Sequence, residues 1–187
     1  MAPLTNPIPS RGRWQLVLIV FAFALPMLIV LVLKFTGWRP DRTRNYGQLL
    51  EPPVELAGTR ARYEHDAPVV WDNAQGRWLL LVRVPETCDQ ACWDETARLP
   101  RLRIALGRFA PRLDLLLLDR APPAERREQL APMRYAVLEP PAPAPIAQDP
   151  ERAPAIWLVD PHGFLVLAYP PGYDLDRVIK DLKRLIR

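Results

Sequence analysis

The chain has 187 residues, of which 49% are apolar and 25% are charged. These proportions exclude an intrinsically disordered chain, and the length allows one domain of ordinary size together with an anchor. The formal net charge is +4, but residues 1–45 hold six basic side chains and one acidic side chain. Residues 46–187 hold 19 basic and 20 acidic side chains. This larger part is almost neutral, so no nucleic-acid partner is expected.

The first element in chain order is an apolar run of 20 residues that begins at Trp14 and contains no charge. A helix of about 20 apolar residues crosses a hydrocarbon core of roughly 30 Å. Trp14 and Trp38 bracket the run as interfacial aromatic residues. A cleaved signal peptide would have a small-residue cleavage site, which residues 33–40 do not contain. We therefore predict one transmembrane helix over residues 14–34, in contact with membrane lipid, after an N-terminal tail of residues 1–13.

The basic residues beside this run bear on its orientation. The tail holds Arg11 and Arg13, and the following segment holds Lys34, Arg39, Arg42 and Arg44. The larger number on the second side predicts that the rest of the chain faces the cytoplasm. The cysteine chemistry considered below predicts the opposite side, so the orientation stays open here.

The region after the anchor divides into two parts. Residues 35–68 contain prolines and glycines without sustained periodicity, which predicts an extended tether. Residues 69–187 are predicted to form one α/β domain. Within it, residues 69–71 and the apolar run 77–84 suggest a β-hairpin, and the density of apolar residues in the second strand favours a central, buried position.

The remaining elements follow from periodicity and from helix-breaking residues. A helix is expected from about Cys88–Asp89 towards Phe109, with a distortion at Pro100. The further predicted elements are a buried strand at 113–119, a short helix at 124–130, a β-hairpin of strands 155–159 and 164–169, and an amphipathic helix at 174–187. A strand–helix–strand unit followed by a hairpin and a closing helix is the layout of a thioredoxin-like domain, with a central mixed sheet and flanking helices.

The chain has two cysteines, Cys88 and Cys92, spaced C-x₃-C at the predicted junction of a central strand and a helix. Residues four apart in a helix lie on one face. A helix N-terminus favours the thiolate and lowers a cysteine pKa, whereas the Asp89 carboxylate beside Cys88 opposes this effect. Two adjacent thiolates can close a disulfide or hold Cu(I). A closed zinc site needs four ligands, which argues against zinc, and an accidental or merely buried pair is the plain alternative.

Four short motifs resemble those of Sco-type proteins. These are Asn45-Tyr46-Gly47, the C-x₃-C pair, Trp157-Leu158-Val159-Asp160-Pro161-x-Gly163 and the terminal Lys180-Asp181-Leu182-Lys183-Arg184-Leu185. Sco-type (Sco/SenC-like) proteins have a thioredoxin fold and assist assembly of cytochrome c oxidase. The resemblance implies a single-pass protein of the bacterial inner membrane, with its domain in the periplasm and with an oxidase subunit or its assembly factors as partners.

The resemblance also implies that Cys88 and Cys92 bind copper destined for the Cu(A) centre of the oxidase. The family's copper-binding histidine does not carry over, because Arg152-Ala153 occupies its place. His162 is predicted to lie in a turn at the end of the domain opposite to the cysteines. His65, in the predicted tether, is the remaining candidate for a third ligand if that tether folds back.

Pro154 precedes the strand at 155–159 and resembles the cis-proline that faces the cysteines, and hence a partner, in thioredoxin-like oxidoreductases. An ordinary strand-initial proline is the alternative interpretation.

The leading hypothesis is a membrane-anchored Sco-like factor that acts by thiol–disulfide exchange, by Cu(I) handling, or by both. Cys88 would be the attacking thiol and Cys92 the resolving thiol. Without the histidine, reduction of the copper-receiving thiols is at least as well supported as copper delivery, so the question of enzymatic activity stays open. A non-catalytic scaffold with a structural disulfide is the alternative from a different class. A periplasmic thiol–disulfide enzyme unconnected with respiration is the third hypothesis.

Overall fold

The computed structural model describes residues 10–36, 45–72 and 74–186. Two compact units are present, Met1–Thr43 and Arg44–Arg187. The described part of the first unit is one helix, α1 (Ser10–Thr36). Its segment Gly12–Thr36 is long and apolar enough to cross a membrane, and it fits the predicted single-pass anchor. The helix includes the last residues of the predicted tail, and residues 1–9 of that tail lie outside the described part.

The second unit contains a seven-stranded sheet. Its strands are β1 (Gln48–Glu55), β2 (Arg60–Tyr63), β3 (Trp78–Arg83), β4 (Leu113–Leu118), β5 (Arg134–Glu139), β6 (Ala155–Val159) and β7 (Phe164–Tyr169). They lie in the order β1-β7-β6-β3-β4-β5-β2. The pairs β3–β4 and β4–β5 are parallel and the others antiparallel. The sheet is therefore mixed, as predicted, with β3 between β6 and β4.

Short helices connect and flank the strands. The α-helices are α2 (Gln90–Thr96), α3 (Arg101–Leu106), α4 (Arg127–Leu130), α5 (Ala144–Ala147) and α6 (Leu175–Leu185), and two 3-10 helices cover Gly107–Arg112 and Ala124–Arg126. The helix expected from Cys88 towards Phe109 is divided in two, because Pro100 lacks an N–H group and begins α3 as its N-cap. Asp174 caps α6 by accepting hydrogen bonds from the N–H groups of Asp176 and Arg177.

The tether prediction is wrong from residue 48 onward. β1 and β2 both lie within residues 35–68, and both belong to the sheet as its two edge strands. Residues 37–44 of the predicted tether lie outside the described residues. The hairpin predicted from residues 69–71 is also wrong, because Pro68 forms an isolated bridge with Arg62 and β3 pairs with β4 and β6.

Each face of the sheet carries its own core. Leu80 and Val82 of β3 point to the side that α2, α3 and α6 cover, here called the helix-covered face. Leu81 points to the other side, which Leu56, Trp71 and neighbouring residues of connecting segments cover, here called the loop-covered face. Alternate residues of a strand point to opposite faces, so burial on both sides explains the almost continuous apolar sequence of β3.

Candidate functional site: the Cys88–Cys92 disulfide

The cysteine pair lies where β3 leads into α2. Asp89 is the N-cap of α2, and its carboxylate accepts a hydrogen bond of 2.9 Å from the N–H group of Cys92. Cys88 therefore lies just before the helix and Cys92 in its first turn. The two residues form a disulfide, with their Cα atoms 5.3 Å apart. The predicted strand-to-helix junction is thus present, and Asp89 has a capping role that the sequence did not indicate.

The two cysteines differ in burial. Cys92 is 3% exposed and belongs to the core of the helix-covered face. Cys88 is partly exposed and packs against the same core from its border. In thiol–disulfide exchange the more accessible sulfur is the one that an incoming thiolate reaches. The difference in burial agrees in direction with Cys88 as the exchanging cysteine, which stays a prediction.

The helix α2 is stabilised by a hydrogen bond of its own and by an ion pair with a neighbouring element. The Thr96 hydroxyl is buried and donates a hydrogen bond of 2.9 Å to the carbonyl oxygen of Cys92. Asp94 forms an ion pair of 2.5 Å with Arg126, which belongs to the second 3-10 helix. Burial raises the pKa of Glu95, one turn after Cys92, and Arg98 opposes this shift. Glu95 and Ala91 of α2 also line a cleft of about 280 Å³. The other lining residues of this cleft are Arg98, Tyr173 and Leu175.

Neither histidine lies with the cysteines. His162 occupies the turn between β6 and β7, where Asp160 accepts hydrogen bonds from the N–H groups of His162 and Phe164. Val159, just before this turn, pairs with Leu79 near the start of β3, so the turn is at the opposite end of the strand, as predicted. His65 follows β2 in an exposed turn. The spacing of three neighbouring strand pairs separates β2 from β3 by roughly 14 Å.

Within the described residues, no group of three or more His, Cys, Asp or Glu side chains is arranged to hold a metal ion. The structure therefore offers the two sulfur atoms at this site and does not bring His65 to them as a third ligand.

Pro154 lies at the end of the sheet that carries the cysteines, as the pairing of its neighbour Ala155 shows. Ala155 pairs with Arg83, the last residue of β3, so Pro154 lies beside the loop that carries Cys88. Among the described residues, the cis peptide bonds precede Pro52 and Pro141. The cis-proline interpretation of Pro154 is therefore wrong, and the residue is a buried proline at the start of a strand.

An ion cluster centred on the partly buried Arg83 lies at the same end and is not predicted from the sequence. The Arg83 guanidinium lies 3.0 Å from a carboxylate oxygen of Asp119 and 2.8 Å from one of Asp149. It also donates a hydrogen bond to the carbonyl oxygen of Ile146. Asp149 and Ile146 belong to the Pro-rich segment before β6, so Arg83 fixes this segment at the end of β3. An arginine within the apolar run of residues 77–84 was the available signal.

Comparisons with known proteins identify the fold. The family described as "Transmembrane-like, thioredoxin-like, C-terminal domain" matches residues 78–187, more than half of the chain. No curated protein sequence matches the chain.

Solved structures similar to this chain include Sco proteins, in agreement with the resemblance found in the sequence. Apo Sco1 from Thermus thermophilus is 20% identical with a TM-score of 0.50, over 79% of this chain and 99% of that chain. A thiol:disulfide interchange protein from Bacteroides sp. is 16% identical with a TM-score of 0.49, over 68% and 85%. Copper-bound ScoI from Bradyrhizobium japonicum is 16% identical with a TM-score of 0.43, over 74% and 98%.

At such identities a structural likeness bears on the fold alone. The family match, the mixed sheet and the apolar N-terminal helix confirm the predicted fold class, a thioredoxin-like domain behind one candidate membrane span. The chain belongs to the transmembrane-like, thioredoxin-like family, and its Cys88–Cys92 disulfide lies at the strand-to-helix junction of that family's C-terminal domain.

Proposed function

We propose that this protein is a membrane-anchored thiol–disulfide exchange factor whose reacting pair is Cys88 and Cys92. The observation that carries the proposal is the closed disulfide at the start of α2, in which one cysteine is buried and the other is partly exposed. A short loop between a central strand and a helix can hold the two sulfur atoms together in both redox states, because the helix cap fixes the backbone around them.

In the reductive direction the chemistry needs two thiolates and one client disulfide. The Cys88 thiolate attacks a client sulfur, forms a mixed disulfide and releases one client thiolate. The Cys92 thiolate then attacks the Cys88 sulfur, which closes the Cys88–Cys92 disulfide and releases the second client thiolate. Two electrons pass from the pair to the client, and a dithiol donor must restore the reduced pair.

We infer that the client is a subunit of cytochrome c oxidase and that its reacting groups are the copper-receiving thiols. The reaction would take place on the periplasmic side of a bacterial inner membrane. The support is the resemblance of four sequence motifs to Sco-type proteins and the presence of Sco proteins among the structural neighbours. Arg152-Ala153 at the place of the family's copper-binding histidine favours thiol reduction over copper delivery.

Cu(I) is the alternative cargo of the same pair. Two cysteine sulfurs within disulfide distance supply a two-coordinate site for this soft ion after reduction. The described residues contain no cluster that adds a third ligand. If copper handling is the function, the reduced full chain should bind one equivalent of Cu(I), and Cys88→Ser should abolish that binding.

A redox titration of the full chain separates exchange from scaffolding. We expect a two-electron potential between about −120 and −270 mV, the range of exchanging dithiols. A potential below about −300 mV, together with normal oxidase assembly after replacement of both cysteines by Ser, would establish the alternative of a scaffold with a structural disulfide.

Mixed-disulfide trapping tests the assigned order of the cysteines. Cys92→Ala leaves the partly exposed Cys88 without its resolving partner, so this variant should accumulate a covalent complex with the client. Cys88→Ala is the matched control and should accumulate little. Equal trapping by both variants would contradict the assignment.

The oxidase connection has its own test. Deletion of the protein should remove the Cu(A) signal of the oxidase and leave the haem signals. Unchanged Cu(A) and haem signals would exclude an oxidase client and favour the third hypothesis, a thiol–disulfide enzyme unconnected with respiration. A reporter fused after residue 187 should be active on the periplasmic side, and cytoplasmic activity would contradict the Sco-like assignment.

A further inference from the structure

The nearly neutral C-terminal unit has its charges strongly segregated. Residues 97–113 and 177–187 together hold ten basic side chains and one acidic side chain, the buried Asp181. The rest of residues 46–187 holds nine basic and 19 acidic side chains. Two short segments therefore carry a charge of +9 and the remainder carries −10, so the neutral total hides a pronounced asymmetry.

The fold brings the two basic segments together. The helix α3 contacts α6, and Arg108, Phe109 and Lys183 line one cleft between the two segments. On α6, Arg177, Lys180, Lys183 and Arg184 fall within an arc of about 120°, because successive residues turn by about 100°. All four are exposed.

We call this surface the basic face and define it by six exposed residues: Arg101, Arg108, Arg112, Lys180, Lys183 and Arg184.

Apolar side chains lie among these cations. Ile104 on α3 is 79% exposed. The Phe109 ring is partly exposed, and the Arg108 and Arg112 guanidinium carbons lie 4.8 and 5.8 Å from its centroid. Exposed aliphatic and aromatic groups surrounded by basic residues are typical of surfaces that bind the interface of a membrane.

The polypeptide that comes from the membrane anchor joins the domain beside this face. The buried Asp181 carboxylate on α6 accepts hydrogen bonds of 2.7 and 2.9 Å from the N–H groups of Tyr46 and Gly47. Arg177 lies 5.3 Å above the centroid of the Tyr46 ring. Gly47 is required at this point, because a Cβ atom there would lie 2.8 Å from the Tyr169 ring.

The covalent connection is short. Ten residue steps separate Thr36, the last residue of α1, from Tyr46. A fully extended chain covers at most about 3.6 Å per residue, so these steps span no more than roughly 36 Å. The α6 surface holds the domain end of this connection, at residues 46 and 47, whereas most acidic residues lie elsewhere on the domain.

We propose that the basic face binds the anionic phospholipid headgroups of the membrane in which α1 is anchored. Lys and Arg near an anionic lipid surface are attracted to it, and the attraction falls within about one Debye length. An acidic protein surface would attract these cations as an anionic lipid surface does. The attachment of residues 46 and 47 to α6, however, places this face next to the chain that leads to the bilayer. The lipid is therefore the occupant that both the charge and the connection favour.

Amide hydrogen exchange of the full chain in lipid nanodiscs tests the proposal. The two samples are discs of phosphatidylcholine alone and discs with about one-third phosphatidylglycerol. We expect exchange in residues 107–112 to slow about fivefold in the anionic discs, and to recover in about 0.5 M salt because screening weakens the attraction. Residues 148–153, in the Pro-rich segment, are the internal reference and should not change.

Charge reversals provide matched variants. Lys180→Glu with Lys183→Glu should remove the slowing, whereas Arg60→Glu with Arg127→Glu, exposed basic residues outside the basic face, should retain it. Each variant must exchange like the unmodified protein in phosphatidylcholine discs, which verifies that it is folded. Equal exchange in both lipids, equal slowing at residues 148–153, or slowing that survives the Lys180/Lys183 reversal would overturn the lipid assignment in favour of a protein partner or of no partner.

Discussion

The two faces of the central sheet are both buried, but by different kinds of structure. The helix-covered face is packed by amphipathic helices and contains Cys92, Tyr169 and Tyr173. The loop-covered face is packed by residues of connecting segments, with Trp71 at 5% exposure and its indole N–H donating a 2.6 Å hydrogen bond to the carbonyl oxygen of Thr59. A segment without helical periodicity can thus complete a core, and the cysteine pair packs against one face of the sheet only.

The strongest test of this comparison replaces Trp71. Trp71→Ala removes a large buried side chain and its hydrogen bond, so we expect the free energy of unfolding to fall by about 3–5 kcal/mol. Val70→Ala is the matched control, because Val70 is 71% exposed, and it should change the stability by less than about 0.5 kcal/mol. Denaturant unfolding measures both. A small effect at Trp71 would mean that its burial contributes little to the stability of the loop-covered face.

The next test concerns the attachment of residues 46 and 47 to the helix-covered side. Asp181→Ala leaves two N–H groups without their acceptor, so the free energy of unfolding should fall by about 2–3 kcal/mol. Exchange of the amides of residues 45–48 should also become faster. Asp176→Asn changes an exposed carboxylate on the same helix and should cost less than about 0.5 kcal/mol. If both variants cost the same, Asp181 does not hold this segment.

Alkaline pH should weaken the helix-covered core through its buried phenols. Burial raises the pKa of Tyr169 and Tyr173 in the folded protein well above the ordinary value of 10.0. Above about pH 10 the unfolded chain loses these protons first, so the contribution is complete below pH 10 and is lost as pH rises further, at up to about 1.4 kcal/mol per pH unit per group. Tyr173→Phe should leave the stability at pH 7 almost unchanged and flatten this loss. An unchanged slope between pH 10 and 11 would contradict the assignment.

The smallest expected effect concerns the chemistry of the cysteines. Asp89→Asn keeps a capping oxygen for Cys92 but removes the carboxylate charge beside Cys88, so the pKa of the reduced Cys88 thiol should fall. The pH dependence of alkylation after reduction measures it. Asp94→Asn is the control on the same helix and should shift the profile less, since Asp94 pairs with Arg126. An unchanged or raised pKa in Asp89→Asn would remove the electrostatic argument.

The surroundings of the cysteine pair and several other elements could be predicted from short stretches of sequence. The apolar run after Trp14, the C-x₃-C pair behind a buried strand, the turn at His162 and the stripe of α6 are local patterns, and each element appears where the pattern predicted it. The role of Asp89 as a helix cap was not predicted. Only the effect of its negative charge on Cys88 was considered, and not its position immediately before the helix.

The elements that were missed depend on distant partners. β1 contains Pro52 and Pro53, which argue against a strand, but it is an edge strand, where an absent N–H group is tolerated. β2 has four residues and gains its place from pairing with β5, more than 70 residues later. Neither segment carries the apolar density of a central strand, so its own residues could not indicate its role.

Local patterns in the sequence were enough to predict the length of the apolar helix, the central strands, the closing helix and the position of the two cysteines, because periodicity, apolar length and helix-breaking residues act over a few residues. The folded domain was needed to show that residues 48–63 and 134–139 complete the sheet, that Arg83 holds the Pro-rich segment, and that Asp181 holds residues 46 and 47. These contacts join residues far apart in the chain, and their stability comes from burial and pairing that exist after the chain has folded.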